Sequence, residues 1–371
     1  MSSIRFATRR VTETEYQIVD DWGTAFRRWF TAWRGAARSS KIVVLSDDNV
    51  WALYEDEIRA ALAPLSRHLV PLLLPPGEGS KDFASLPPLV DTLVRHRVHR
   101  RDLLLCAGGG VCCDLGGLLA LLYLRGLYYV DLPTSLMAQL DAAIGGKVGA
   151  NFGLRKNLLG GFHQPVLTVI APGFLRTLPQ RQFQSALAEA VKVAIIRDQE
   201  PFLELLEKRG EALLEREPNA LRELLERCLA SKLDLLAEDP YELDLDRCLN
   251  LGHAVAHALE RLPVMRGGEP PSHGEAVAIG LAATIRYAAR LEICRQEHAT
   301  RLLRILEGLG LPIRPGPVDR RQVRDQLSRI PEHRGGLFRL VVPAATGGVR
   351  ILPDADPDLL LQCLDPARTA A

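Results

Sequence analysis

Residues 103–117 read LLLCAGGGVCCDLGG, and residues 118–165 continue LLALLYLRGLYYVDLPTSLMAQLDAAIGGKVGANFGLRKNLLGGFHQP. Leu103 to Cys106 is a short apolar run of the kind that forms a buried strand. It ends in Gly108-Gly109-Gly110, where missing side chains let backbone amides come close to a ligand. An apolar segment starting near Asp114 follows at once, so the glycines open a helix whose N-terminal amides suit a pyrophosphate. Three glycines alone mark a tight turn more often than a phosphate site. Here Asp141, Lys147, Lys156, Asn157 and His163 follow among further glycines, a density of polar groups that a purely structural loop does not require.

Upstream, Lys41 to Ser46 (KIVVLS) predicts a strand with Asp47, Asp48 and Asn49 at its C-terminal end. Open α/β sheets bind ligands at that end of their strands, which makes these three candidates for a nucleotide ribose. An equally good reading is a helix N-cap before Val50-Trp51-Ala52-Leu53. Val70 to Leu74 predicts a second strand, followed by PPGEGSK. The alternation of strand and helix through residue 135 predicts a doubly wound, Rossmann-like parallel sheet. Residues 1–40 are polar and mixed, with Phe26, Trp29, Phe30 and Trp33 spaced for an amphipathic helix.

After Pro172 the texture changes. Leu175 to Leu236, Cys248 to Leu262, Glu275 to Leu291 and Thr300 to Leu309 carry apolar residues at helical spacing, and Phe338 to Val342 is the one strand candidate. The expected division is a 1–170 α/β domain and a mainly helical 171–371 domain. No Ser/Gly-rich linker joins them, so the halves are expected to pack with the site in the cleft between them.

Composition narrows the class. A formal net charge of +1 gives no argument for nucleic acid or an acidic membrane surface. Seven cysteines without regular spacing argue for a reducing compartment, and Cys112-Cys113 read as core. The N-terminus has Arg9-Arg10 but no apolar stretch behind it, and the run Leu118 to Leu124 is too short to cross a bilayer. A cytoplasmic protein is expected.

The helical half carries the metal chemistry. Glu189 and Lys192 are at i and i+3, His253 and His257 at i and i+4, and His273 opens another helix after GGEPPS. Glu with two His is a well-attested zinc ligand set that leaves room for substrate oxygens. Spacing alone makes His253 and His257 joint ligands.

GGGVCCDLGG, YLRG, LPTSLMAQLDAAIGGKVGANF, RKNLLGGFHQP, LAEAVK, LNLGHAVAHALE and HGEAVAIG, in this order from Gly108 to Gly280, resemble the dehydroquinate synthase family of sugar phosphate cyclases; SDDNV and GEGSK extend the likeness back to Ser46. The resemblance implies catalytic NAD, a divalent ion (zinc, with cobalt as the alternative) and a homodimer. It matches the metal ligands to Glu189, His253 and His273, and gives His257 to the substrate. Asp47, Asn49, Glu78, Lys81, Gly109, Gly110, Val111, Asp114, Thr134, Ser135, Asp141, Lys156 and Thr177 match cofactor positions. Lys147, Asn157, Asn250 and His257 match the phosphate cradle, Lys192 and Lys156 hold the anionic substrate, and Arg125 reaches a neighbouring subunit's site.

Two departures bear on the substrate. Dehydroquinate synthases carry an arginine four residues before the asparagine of LNLGH, where it pairs with the substrate carboxylate; here that position is Asp246, with Arg247 displaced by one. One residue is about 100° of helix rotation, so Arg247 is not expected to take the role. Lys232, which fits a second carboxylate partner, is retained. The other departure is Glu332-His333-Arg334-Gly335-Gly336, which resembles the sedoheptulose 7-phosphate cyclases, makers of valiolone-type cyclitols. Their substrate has a hydroxymethyl group in place of the carboxylate, and Asp246 suits a hydroxyl as acceptor. Asn250 and His257 stand where 2-epi-5-epi-valiolone synthases have aspartate and proline, which points to the 2-epi-valiolone branch or an unassigned one. The expected activity is cyclisation of sedoheptulose 7-phosphate. 3-Dehydroquinate synthase is the runner-up, ahead of a glucose 6-phosphate cyclase (2-deoxy-scyllo-inosose synthase), a glycerol-dehydrogenase-like oxidoreductase and a nucleotide-binding scaffold.

Overall fold

The computed structural model describes residues 12–37, 41–66, 68–153, 155–197, 200–242, 247–262, 271–329, 337–345 and 347–365. The chain divides into two units: residues up to 134 with 145–171, and residues 135–144 with everything from 172 on. A division at residue 170 therefore misses one excursion, in which ten residues of the first half belong with the second.

The first unit holds β1 (Glu15–Ile18), α1 (Trp22–Ala37), β2 (Ile42–Asp47), α2 (Asp48–Leu62), β3 (Leu69–Leu74), α3 (Leu86–Arg95), β4 (Leu103–Gly108), α4 (Gly110–Leu122), β5 (Tyr128–Pro133), β6 (Lys147–Phe152), β7 (Arg155–Phe162) and β8 (Leu167–Ile170). Six strands form one sheet in the order β1-β8-β5-β4-β2-β3, and every pair in it is parallel. β4 is buried at every position, the pattern of a strand covered on both faces. Its Leu104 and Cys106 share one core with Val43 and Leu45 of β2 and with Leu115, Leu118 and Leu119 of α4. The fold is the Rossmann-like one expected from the strand and helix alternation.

The chain steps from β2 outward to β3 and then returns to the other side of β2 for β4. This reversal makes the ends of β2 and β4 the switch point where open α/β sheets leave a crevice. Asp47 ends β2 and Gly108 ends β4. β6 and β7 form a separate antiparallel hairpin.

The aromatic segment near the N-terminus is a helix. Trp22, Phe26 and Phe30 of α1 are buried at helical spacing, and Trp22 Nε1 donates to Glu57 of α2. β1, a strand the polar sequence around it did not suggest, pairs with β8 at the sheet edge.

The second unit contains α5 (Gln180–Arg197), α6 (Glu200–Lys208), α7 (Gly210–Leu214), α8 (Pro218–Glu238), α9 (His253–Glu260), α10 (His273–Arg290), α11 (Gln296–Gly308), α12 (Arg320–Ser328), β9 (Leu340–Pro343), β10 (Val349–Leu352) and α13 (Pro357–Leu364). The late strand candidate is β9, and it pairs antiparallel with β10. α5 and α10 are the central helices: α5 is buried continuously from Ser185 to Ile196, and α10 from Ala276 to Ile285. Small residues permit this. A Cβ on Gly274 of α10 would stand 1.9 Å from the carbonyl oxygen of Ser185 of α5, so the two backbones come as close as glycine allows. Gly252 enters α9 with φ +78°, and a Cβ on Gly280 of α10 would stand 2.0 Å from its carbonyl oxygen. No helix among the described residues is long and apolar enough to cross a membrane.

Candidate active site

The glycine contacts decide where the metal candidates stand. His253 follows Gly252 at the start of α9, His273 precedes Gly274 at the start of α10, and Glu189 lies one turn beyond Ser185 on α5. Ser272 caps α10 through a reciprocal capping box with Glu275, and its hydroxyl lies 2.8 Å from that of Ser185. Three helices thus bring one carboxylate and two imidazoles together, with their ligand atoms within 4.8 Å of one another.

The donor set fits a divalent ion. Glu189 is 1% exposed and neither carboxylate oxygen receives an aligned hydrogen bond. Its Oε1 lies 3.7 Å from His253 Nε2 and 3.8 Å from His273 Nε2, too far for hydrogen bonds. Ligand atoms around a tetrahedral zinc at 2.0–2.1 Å stand about 3.4 Å apart, close to this spacing. Lys192 meets Oε2, which leaves Oε1 facing the two imidazoles, and a buried carboxylate oxygen without a donor is costly unless a cation completes it.

The other ring nitrogens are committed. His253 Nδ1 lies 3.1 Å from Leu251 O, and His273 Nδ1 lies 3.1 Å from Glu260 Oε1. Both partners only accept, so each Nδ1 carries the proton and a neutral ring offers its Nε2 lone pair to the common point. Burial, helped by Lys192 and the neighbouring histidines, pushes the His253 pKa well below its ordinary value. Burial opposes charge on His273 as well, but Glu260, Glu189 and Asp141 outweigh it and hold that pKa above the ordinary one.

Lys192 is 3% exposed and pairs with Glu189 Oε2. Burial works against its charge, yet Glu189 and Asp141 raise its pKa and keep it an ammonium. His257 shares a face of α9 with His253, their ring centroids 5.5 Å apart. It is not in the cluster of ligand atoms, so joint ligation by the i, i+4 pair is replaced by the Glu189, His253, His273 set. Asn250 ends the 3₁₀ turn Cys248–Asn250 just before Gly252. Lys232, buried on α8, donates 2.6 Å bonds to both Asp141 Oδ1 and Asp141 O. Asp141 lies in the π-helical turn Ala138–Ala142, and Ser135 Oγ caps that turn by accepting from Ala138 N at 3.3 Å. Thr177 ends the 3₁₀ helix Pro172–Thr177 and donates to Phe174 O. Asp246 and Glu332 to Gly336 lie outside the described residues. Arg247 donates to Glu242 O at 2.6 Å and pairs with Glu242 Oε2 at 3.0 Å.

In the first unit, Gly109 is the N-cap of α4, and Gly110 and Val111 are its first residues. The strand, glycine turn and helix N-terminus expected for a pyrophosphate are therefore in place. Asp47 is an N-cap: its Oδ1 accepts from Asn49 N at 3.0 Å and Val50 N at 3.1 Å. The helix N-cap reading of Asp47 is the observed one, and it coexists with the switch-point location. Glu78, Lys81, Asp114 and Asn157 form one network. Lys81, 6% exposed, pairs with Asp114 and donates to Asn157 Oδ1 at 2.6 Å. Asn157, at φ +52°, donates its backbone amide to Asn151 Oδ1 at 2.8 Å, and Asn151 Nδ2 donates to Glu78 Oε1 at 2.9 Å. Thr134 donates its amide to Gly108 O. Lys147 and Lys156 are exposed on the β6–β7 hairpin.

Arg125 stands apart. α4 is 13 residues long, about 20 Å at 1.5 Å per residue, and Arg125 follows its far end at φ +62°. It lines a cavity of about 260 Å³ with Arg100, Arg101 and His163. His163 faces that cavity and Leu127 O, away from the glycine turn. Cys112 and Cys113 are core residues whose thiols burial pushes up, so neither is a nucleophile. Sequence reasoning missed Glu260, Glu242, Asn151 and Ser185. Of these only Glu260 left a signal, seven residues after His253 on the same helical face.

Residues 71–185 match the 3-dehydroquinate synthase N-terminal family model and residues 186–329 the 3-dehydroquinate synthase C-terminal model. The chain is 35% identical to a 3-dehydroquinate synthase of Nostoc punctiforme, over 87% of this chain and 89% of the relative. It is 38% identical to a 2-epi-valiolone synthase of Stigmatella aurantiaca, over 92% and 86%. Among solved structures it is similar to ValA, a 2-epi-5-epi-valiolone synthase from Streptomyces hygroscopicus with NAD+ and Zn2+ bound. That likeness has a TM-score of 0.88 and 28% identity, covering 99% of this chain and all of the other.

Proposed function

The chain belongs to the 3-dehydroquinate synthase family, and from that premise we propose that it is an NAD- and divalent-metal-dependent sugar phosphate cyclase acting on sedoheptulose 7-phosphate. The product is a valiolone-type seven-carbon cyclitol, and inorganic phosphate is released. Glu189, His253 and His273 would hold the ion, and the Gly109 to Val111 turn would take the pyrophosphate of the nucleotide. When bound, the nicotinamide exchanges a hydride with a substrate alcohol and the divalent ion polarises substrate oxygens. Lys192, charged and buried against Glu189, fixes an anionic oxygen next to the ion. Asn250 and His257 keep their assignment to the substrate phosphate, as do Lys147 and Asn157, while Lys156 keeps its place with substrate and cofactor. Arg125, lying about one helix length from its own unit's glycine turn, supports the homodimer in which it serves a second copy.

The observation that carries the substrate is Arg247. It is the arginine adjacent to position 246, and its guanidinium is taken up by Glu242. Glu242 is 7% exposed and Arg247 39%, so turning the guanidinium elsewhere would leave a buried carboxylate without this partner. An aspartate at 246 and an arginine turned to the protein's own carboxylate suit a hydroxymethyl group better than a carboxylate. The 38% identity to a 2-epi-valiolone synthase points the same way. The second reading, 3-dehydroquinate synthase, is favoured by the 35% identity to one and by the retained Lys232, although that lysine is engaged by Asp141.

The test is phosphate release by purified protein with NAD and zinc. Sedoheptulose 7-phosphate, the seven-carbon acid phosphate precursor of dehydroquinate, and glucose 6-phosphate are supplied separately. Release from sedoheptulose 7-phosphate alone is expected. Release from the acid phosphate alone would overturn the substrate assignment and leave the family intact.

A further inference from the structure

Glu260 ends α9 and has no part in the roles assigned above. It follows His253 by seven residues and His257 by three, so all three project from one face of the helix. Its side chain is 6% exposed, and Oε1 lies 3.1 Å from Nδ1 of His273, the first residue of α10. α9 therefore supplies one imidazole of the cluster from its first turn and grips the other from its last.

The two imidazoles are backed differently. His253 is 14% exposed, and its Nδ1 proton goes to the neutral carbonyl of Leu251, two residues away. Packing and a short local hydrogen bond suffice to fix that ring. His273 is 38% exposed, and its hydrogen bond runs across 13 residues to a carboxylate. A partly solvated imidazole has rotamers to lose on ordering, and a charged acceptor makes a stronger bond than a carbonyl does. A carboxylate on Nδ1–H also draws that proton toward itself and makes Nε2 a better electron-pair donor.

We propose that Glu260 is a positioning residue for the divalent ion. It fixes the tautomer and ring plane of His273 and strengthens Nε2 as a ligand. The inference rests on the metal reading of Glu189, His253 and His273. It differs from a purely structural one, in which Glu260 only ties the end of α9 to the start of α10. A structural tie would stabilise the protein with or without metal, whereas a positioning residue acts on the affinity for the ion.

The experiment uses the full chain, stripped by a chelator and titrated with zinc in competition with a chromophoric chelator. Cobalt loading is followed by its visible spectrum, and thermal midpoints are recorded metal-free. Glu260→Ala is expected to weaken zinc binding by about 10- to 100-fold, to alter the cobalt spectrum, and to leave the metal-free midpoint in place. Glu260→Gln keeps an acceptor oxygen and loses the charge, so a smaller loss of affinity and a wild-type cobalt spectrum are expected. Undiminished zinc affinity in Glu260→Ala would overturn the inference. So would a metal-free midpoint that falls with both variants, since that assigns Glu260 to the fold. A wild-type chain that takes up no zinc would overturn the metal reading itself, a result separable from either variant's.

Discussion

Among the described residues, Asp131 is one that the fold tolerates at a cost. It sits in the middle of β5, opposite Cys106 on one side and Thr168 on the other, 3% exposed and with Oδ1 lacking a hydrogen-bond partner. Burial, reinforced by Asp114, raises its pKa well above the carboxylate range. The folded protein therefore keeps Asp131 protonated at pH values where the unfolded chain has ionised it. Below the unfolded pKa of about 4 both states are neutral and nothing is lost. As pH rises from there the unfolded state gains, by at most about 1.4 kcal/mol per pH unit, until the folded carboxyl ionises too. Asp131→Asn is always neutral and is expected to melt higher than wild type at pH 7, with the gap closing below pH ~4. Urea denaturation across that range checks it, and a gap independent of pH would mean the carboxyl is already charged in the fold. Nothing in the sequence marked this residue, because an aspartate inside YYVDLP says nothing of what lies on either side of its strand. The candidate metal ligands were legible for the opposite reason: their chemistry is written in residue type and helical spacing, and only the choice between His257 and His273 needed more than spacing.

For the elements, the helices were legible and their distances of approach were not. The helical period delimited α9, α10 and α11 to within a turn or so, and the apolar run at Leu103 marked β4. No period reports that α10 touches α5 at Gly274, a contact made by the absence of a side chain. That contact places His273 beside Glu189. Gly274→Ala must push α10 off Ser185 O, and a loss of about 1–3 kcal/mol in stability is expected, together with weaker zinc binding. Gly308, at the end of α11, has nothing within 4 Å of an added Cβ. Gly308→Ala is expected to be neutral or to stabilise by up to about 1 kcal/mol. Thermal melts of the pair decide the matter, and equal midpoints would show that α10 can slide without consequence. The β1 strand escaped sequence reasoning because EYQI is short, half polar and defined only by its partner in β8.

At the scale of the molecule, the two units are not two consecutive pieces of chain. Residues 135–144 leave the first unit and join the second, where Asp141 accepts from the buried Lys232 ammonium through both its carbonyl and its carboxylate. A 172–371 fragment lacks that segment. Stripping a buried charge of its partner costs about 3–5 kcal/mol, so the fragment is expected to be unfolded or to melt far below the full chain by circular dichroism. A fragment as stable as the intact protein would mean that Lys232 finds another partner. The sequence marked a change of texture near residue 172 because composition changes there. It could not mark the excursion, which is made of the same small and apolar residues as its flanks.

The edge pair β1–β8 has a consequence in time. β1 ends at Ile18, and the strand it lies beside ends at Ile170. At 5–20 residues per second the ribosome needs roughly 8 to 30 s to cover that interval. Throughout it β1 has no neighbour, and β5, once made, has a bare edge until β8 arrives. Of the six strands in this sheet, the one that precedes the others in the chain is therefore among the last to be seated, and the sheet is completed by β8 drawing in β1.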